Sequence, residues 1–165
     1  MTLTMQKITF WFFGAIAAIP LPILHRIGNF LGSIGYCFLP KKLRDTISGN
    51  VDSAGIISDK LARHTLIKAV CQESIKGGFE LPVAWMRSSE DIVDLFKAVH
   101  GWEHVQTAIE KNEGLLLISP LICSYDLAGR YISHHLPFPL TAMYRPPKQK
   151  WLDEVMNAGR VRDKG

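Results

Sequence analysis

Between Lys7 and Lys41 the only charged or basic residues are His25 and Arg26, and residues 8–24, ITFWFFGAIAAIPLPIL, carry no charge at all. A chain cannot leave such a stretch in water, so everything else has to fold around a way of hiding it. A membrane crossing needs about 20 consecutive apolar residues, and here Pro20 and Pro22 interrupt the run. A kinked or shallow insertion therefore competes with a full crossing. In that reading Trp11, with Phe10, Phe12 and Phe13, anchors at the interface, and Arg26, Lys41, Lys42 and Arg44 face anionic headgroups. Two other readings remain open. Lys7, the short apolar stretch and Ala15-Ile16-Ala17 imitate a cleaved signal peptide, and a buried helical hairpin would also absorb the apolar residues.

The formal charge of +4 and the pI near 9.0 suit an anionic partner, such as phospholipid headgroups or a phosphorylated glycolipid. Nucleic acid is the competing partner for a basic chain. No basic stripe interleaved with aromatics and no zinc-finger spacing supports it, so no nucleic acid is expected. Cys37, Cys71 and Cys123 are odd in number and widely spaced, which suggests neither a disulfide framework nor a metal site and fits a reducing compartment.

Leu43 to Gly55 reads as a polar surface connection. Ser58 or Asp59 caps a helix whose stripe, Leu61, Ile67, Val70, Cys71, Ser74, Ile75, Gly78 and Phe79, runs toward Pro82. Ser88 and Asp91 form a capping-box pattern, whereas Leu95 to Val99 fits a helix or a strand. Gly101 opens a short helix, with Val105, Ala108 and Ile109 inward, that closes at Asn112 and Gly114. His100 and His104 have the spacing of a metal pair, but Gly101 breaks the shared face and no third ligand follows, so no metal is expected.

The most informative stretch is GLLLISPLICSYDLAGR, Gly114 to Arg130. Leu115 to Ile118 reads as a buried strand, Ser119-Pro120 ends it, and Leu127, Tyr131 and Ile132 recur at helical spacing. Pro139 to Tyr144 reads as a second, parallel strand, which makes a βαβ unit with Arg145 at its carboxyl end. Trp151, Leu152, Val155 and Met156 mark the apolar side of a further helix, and Arg160, Arg162 and Lys164 form a basic tail.

LLLISPLICSYDLAGRYIS, followed by FPLTAMYRPPK and AGRVRDKG, resembles the lipid A biosynthesis (lauroyl/myristoyl) acyltransferases of Gram-negative bacteria, a branch of the lysophospholipid acyltransferase superfamily. The resemblance implies an α/β fold, with membrane-associated amino-terminal helices over residues 1–44 followed, over residues 45–165, by the first part of an acyltransferase-type sheet with helices. It implies transfer of a fatty acyl group from an acyl carrier protein thioester to a phosphorylated glycolipid acceptor, without a cofactor, at the cytoplasmic face of the bacterial inner membrane. In that family the loop carries His, four residues, then Asp or Glu; the His takes the proton of the attacking hydroxyl and the carboxylate orients it. Here the carboxylate is Asp126 and the His position is Leu121, while Cys123 stands where the family usually has Gly. Tyr144, Arg145, Arg160 and Arg162 are the residues that the resemblance places at the substrate. Glu80 and Trp85, in a segment that resembles the family again, either border the acyl-chain groove or belong to a Pro-bent helix end with a core Trp.

Leucine cannot act as a base, and a carboxylate such as Asp126 is a weak one for an alcohol. Its other reading is a cap on the helix start. His134 and His135 lie roughly 15–20 Å away along the same helix, too far to substitute. Cys123, near a helix amino terminus, is a candidate thiol for exchange with an acyl thioester, although Asp126 one turn away opposes thiolate formation. The expectation is therefore double: descent from an acyltransferase, and a truncated, catalytically silent chain persisting as a membrane-associated remnant or interaction module.

Overall fold

The computed structural model describes residues 2–55, 57, 59–120 and 123–161, with side chains from Lys7 onward. These residues form eight α-helices: α1 (Thr2–Ala17), α2 (Leu21–Cys37), α3 (Lys41–Ala54), α4 (Lys60–Met86), α5 (Ser89–Val93), α6 (Trp102–Glu110), α7 (Tyr125–His135) and α8 (Lys150–Arg160). The chain divides into two compact units, one of Trp11–Val83 and the other of Met1–Phe10 with Ala84–Gly165.

In the first unit α2 lies antiparallel to α4 along a seam of small and polar residues. Gly28 and Gly32 face Lys76 and Gln72 so closely that a Cβ on Gly32 would meet the Gln72 backbone. Ser33 Oγ accepts from Gln72 Nε2 at 2.8 Å, and His25 Nε2 lies 2.8 Å from Glu80 Oε1. The opposite face of α2 is apolar and exposed: Ile23, Ile27, Phe30, Leu31 and Ile34, then Phe38 just beyond its end. The helix is thus the inverse of an ordinary amphipathic surface helix, which turns its apolar stripe inward. No single helix among the described residues is long and apolar enough to cross a membrane; Lys7–Ala17 and Leu21–Cys37 reach that length only as a pair, bent by 104°.

The polar connection expected over Leu43 to Gly55 is instead α3. Leu43, Ile47 and Val51 recur every four residues, Val51 is 8% exposed, and Gly55 closes the helix at φ 63°, where glycine carries no steric penalty. Asp59 caps α4, its Oδ2 accepting from Ala62 N at 2.7 Å; Ser58 lies outside the described residues. Helix α4 continues through Pro82 to Met86, farther than the proline suggests, because the helix interior there is buried from Pro82 to Trp85. Tertiary burial outweighs the missing N–H.

The second unit carries the largest correction. The expected α/β sheet is absent: the described residues contain no strand. Leu115–Ile118 and Pro139–Tyr144 run without helix or ladder, and neither makes a backbone–backbone hydrogen bond among the described residues. Leu116 and Ile118 are each 87% exposed. An apolar run states a demand for burial but does not supply the partner that makes it a strand, and these two segments do not pair. Leu95 to Val99 is likewise neither helix nor strand; Phe96 instead packs its ring 4.5 Å from that of Tyr131 on α7. The helices hold where expected. Ser88 Oγ accepts from Asp91 N at 3.1 Å at the start of α5, Gly101 precedes α6 at φ 81°, and Asn112 follows it at φ 55°. Ile92, Leu136 and Val155 are fully buried in this unit.

Candidate functional site

The site is built on the facing sides of α7 and α8. The chain enters α7 through Cys123, whose φ of 57° puts a side-chain-bearing residue in the left-handed region favoured by glycine. That turn sets Ser124 at the helix boundary and Asp126 in the first turn, where the helix dipole favours a carboxylate. Asp126 is buried, its side chain 5% exposed. Its Oδ1 accepts from Arg160 Nε at 2.7 Å, while its Oδ2 is buried with no hydrogen-bond partner among the described residues. Burial works against the charge on Arg160, but the hydrogen bond and attraction from Asp126, with a smaller contribution from Tyr125, outweigh it and raise its pKa.

Arg160 also lies over the Tyr144 ring, 5.8 Å from its centroid, in cation–π range. The Tyr144 hydroxyl accepts from Asn157 Nδ2 at 3.1 Å, which ties the segment after Pro139 to α8. Three of the residues that sequence reasoning selected, Asp126, Tyr144 and Arg160, are thus brought together. Arg145 is exposed and has no ion-pair partner among the described residues. Leu121, the base position, and Arg162 lie outside the described residues.

Sequence reasoning missed Arg130. One turn after Asp126, it is 3% exposed and spans four neighbours: it donates to Gly159 O at 2.7 Å and Ser89 Oγ at 2.8 Å, and more weakly to Ala84 O and Arg87 O, each at 3.4 Å. Asp126–Arg160 and Arg130–Gly159 are therefore two successive rungs between α7 and α8. Gly159 makes the approach possible, because a Cβ there would lie 2.7 Å from Trp85 Cα. The signal was an arginine between Leu127 and Tyr131 on the helix face that the apolar spacing marks as buried. Trp85, 3% exposed, acts here as packing. Glu80 is the partner of His25. His135 stacks on Tyr131 with ring centroids 4.2 Å apart at the far end of α7.

A buried carboxylate in the first turn of a helix, held through one oxygen and open at the other, is suited to orienting a proton-carrying group. The class in which the chain falls is that of the acyltransferases. Over residues 3–165 it matches the family described as bacterial lipid A biosynthesis acyltransferase, and it belongs to that family. Neither the curated proteins nor the solved structures yield a match.

Proposed function

We propose that this chain binds a phosphorylated glycolipid acceptor and an acyl carrier protein thioester at the cytoplasmic face of the bacterial inner membrane, in the manner of lipid A acyl transfer, with Asp126 as the positioning carboxylate. The observation that carries the reading is the state of Asp126: one oxygen is fixed by Arg160 and the other is buried with no hydrogen-bond partner among the described residues, an arrangement suited to holding the N–H of an imidazole while its second nitrogen takes a hydroxyl proton. Arg145, exposed and without an ion-pair partner among the described residues, supplies the guanidinium for an acceptor phosphate. Arg160 supports the carboxylate rather than the substrate. The exposed apolar face of α2 and the aromatic residues Trp11 and Phe12 of α1, 76% and 54% exposed, support membrane attachment.

A second reading is favoured by one residue. Leu121 stands at the base position, and loss of general-base catalysis lowers a rate by about 10²–10⁴-fold, so the chain binds its ligands with little or no turnover. Acyl transfer from acyl carrier protein to a lipid A precursor, measured for the wild type and Leu121→His, separates the readings. Background transfer in the wild type with a clear gain in the variant supports an orienting carboxylate that lacks its base. Rapid wild-type turnover that Leu121→His leaves unchanged rejects the base assignment, and its loss in Cys123→Ala would transfer the chemistry to the thiol.

A further inference from the structure

Away from the α7–α8 site, the Trp11–Val83 unit contains a pocket that the proposed reaction does not use. It is a surface cleft of about 570 Å³ lined by Tyr36 of α2, Arg44, Ser48 and Asp52 of α3, and Lys60, Arg63, His64 and Ile67 of α4. That volume lies within the roughly 300–1,000 Å³ of small-ligand sites. The lining follows from helical spacing: Arg44, Ser48 and Asp52 are four apart on one face of α3, and Lys60, Arg63 or His64, and Ile67 share one face of α4.

Two contacts brace the walls. Arg63 grips Asp52 with both Nε and Nη2, at 2.6 and 2.7 Å, and Tyr36 meets His64 edge-on at 5.0 Å. The Asp52 carboxylate is thereby used on Arg63, whereas Arg44 and Lys60 have no ion-pair partner among the described residues. Three cations therefore face one carboxylate, with the Tyr36 and Ser48 hydroxyls as further donors and Ile67 as an apolar floor. Such a lining selects an anion with an apolar attachment. Its position narrows the choice: Tyr36 is in the last turn of α2 on the side that faces α4, where it meets His64, so the pocket lies about one helix diameter, roughly 10 Å, behind the exposed apolar face that carries Ile34 and ends near Phe38.

We infer that this pocket binds the phosphate of an anionic glycerophospholipid in the bilayer surface, with Arg44 and Lys60 as its charge partners. The inference rests on the membrane attachment proposed above and adds a headgroup site separate from the acceptor site. A positively charged side chain near an anionic bilayer contributes about fivefold in binding.

The test is flotation of the full chain with phosphatidylcholine vesicles, with and without phosphatidylglycerol. Arg44→Ala/Lys60→Ala should weaken binding to the anionic vesicles by about 25-fold. Ser48→Trp, which fills the pocket without changing charge, should weaken it by about tenfold and leave binding to phosphatidylcholine alone unchanged. A thermal melt of each variant checks that it is folded; if Ser48→Trp is not, Ser48→Leu, a smaller filling side chain of unchanged charge, takes its place with the same expected outcomes. If Ser48→Trp is folded and binds like the wild type while the double variant is weakened, the attraction is diffuse and the pocket assignment falls. A wild type that ignores anionic vesicles overturns the membrane reading and this site together; a wild type that floats while both variants float equally well overturns the site alone. Inorganic phosphate, titrated without vesicles while the His64 ring is followed by NMR, distinguishes the source: no saturation at the phosphate concentration that the vesicles present supports the lipid, and saturation below it assigns the pocket to free phosphate instead.

Discussion

Arg160 donates its Nε to Asp126 across 2.7 Å, and the residue before it, Gly159, gives its carbonyl to Arg130 one turn farther along α7. The carboxylate is held by a pair that is itself locked by a second, purely structural rung. Removing one partner of a largely buried pair strands the other. Asp126→Ala and Arg160→Met should each cost about 2–4 kcal/mol in denaturant unfolding, and the double variant should cost less than their sum by about 1–3 kcal/mol. Additive losses would mean that the two side chains act independently.

The open oxygen of Asp126 gives a kinetic prediction. Leu121→His should raise acyl transfer by about 10²–10⁴-fold over the wild type, and adding Asp126→Asn should remove most of the gain, chiefly in kcat and with a shifted pH–rate profile, because an amide no longer fixes the useful tautomer. A gain that survives Asp126→Asn with an unchanged profile would reduce Asp126 to a structural partner of Arg160.

Cys123 holds a φ of 57° with a side chain attached. Cys123→Gly should stabilise the fold by up to about 1 kcal/mol, the relieved strain exceeding the added unfolded-state entropy, and Cys123→Val should destabilise it by about 1–2 kcal/mol. Thermal unfolding of both variants checks the sign.

Two glycines of α2 should respond in opposite directions. Gly32→Ala drives a Cβ into the Gln72 backbone and should cost about 1–3 kcal/mol. Gly35 has open space around it, so Gly35→Ala should gain about 0.5–1 kcal/mol from helix propensity. Equal effects in denaturant unfolding would contradict the seam.

The hydrogen bond from Arg63, with its nearby positive charge, lowers the pKa of Asp52. A carboxyl lowered on folding adds stability above its unfolded value, near 4, and loses that contribution as the pH falls through the lowered value. Asp52→Asn should therefore be less stable than the wild type at neutral pH, with the two curves converging in acid below about pH 4. Melting temperatures across that range test this, and added salt should shrink the difference because the pair is exposed.

What could be read from the amino acids was local. Ser88 with Asp91, Gly101, Asn112 and the spacing Trp151, Leu152, Val155, Met156 announce helices through contacts within a few residues, and those helices formed. The strands were misread because Leu115–Ile118 and Pro139–Tyr144 show only apolarity, and pairing depends on distant backbone that no local pattern specifies. Helix α3 was missed because a single apolar residue per turn resembles a solvated connection. At the site, Asp126, Tyr144 and Arg160 were singled out by resemblance, but the pairing of Asp126 with Arg160 is a contact across 34 residues, and the same is true in kind of Arg130 and Gly159.

The glycine seam also limits how deep the apolar helix can go. A free helix could sink into hydrocarbon on all sides, but α2 is closed on its inner side against Gln72, Lys76 and Glu80, whose polar groups travel with it. Burying that side would strip their hydration at a cost of several kcal/mol per charge. Only the outward ridge of Ile23, Ile27, Phe30, Leu31 and Ile34 can enter lipid, so on the proposed attachment α2 floats like a keel, wetted on one side and immersed by about 5–10 Å on the other.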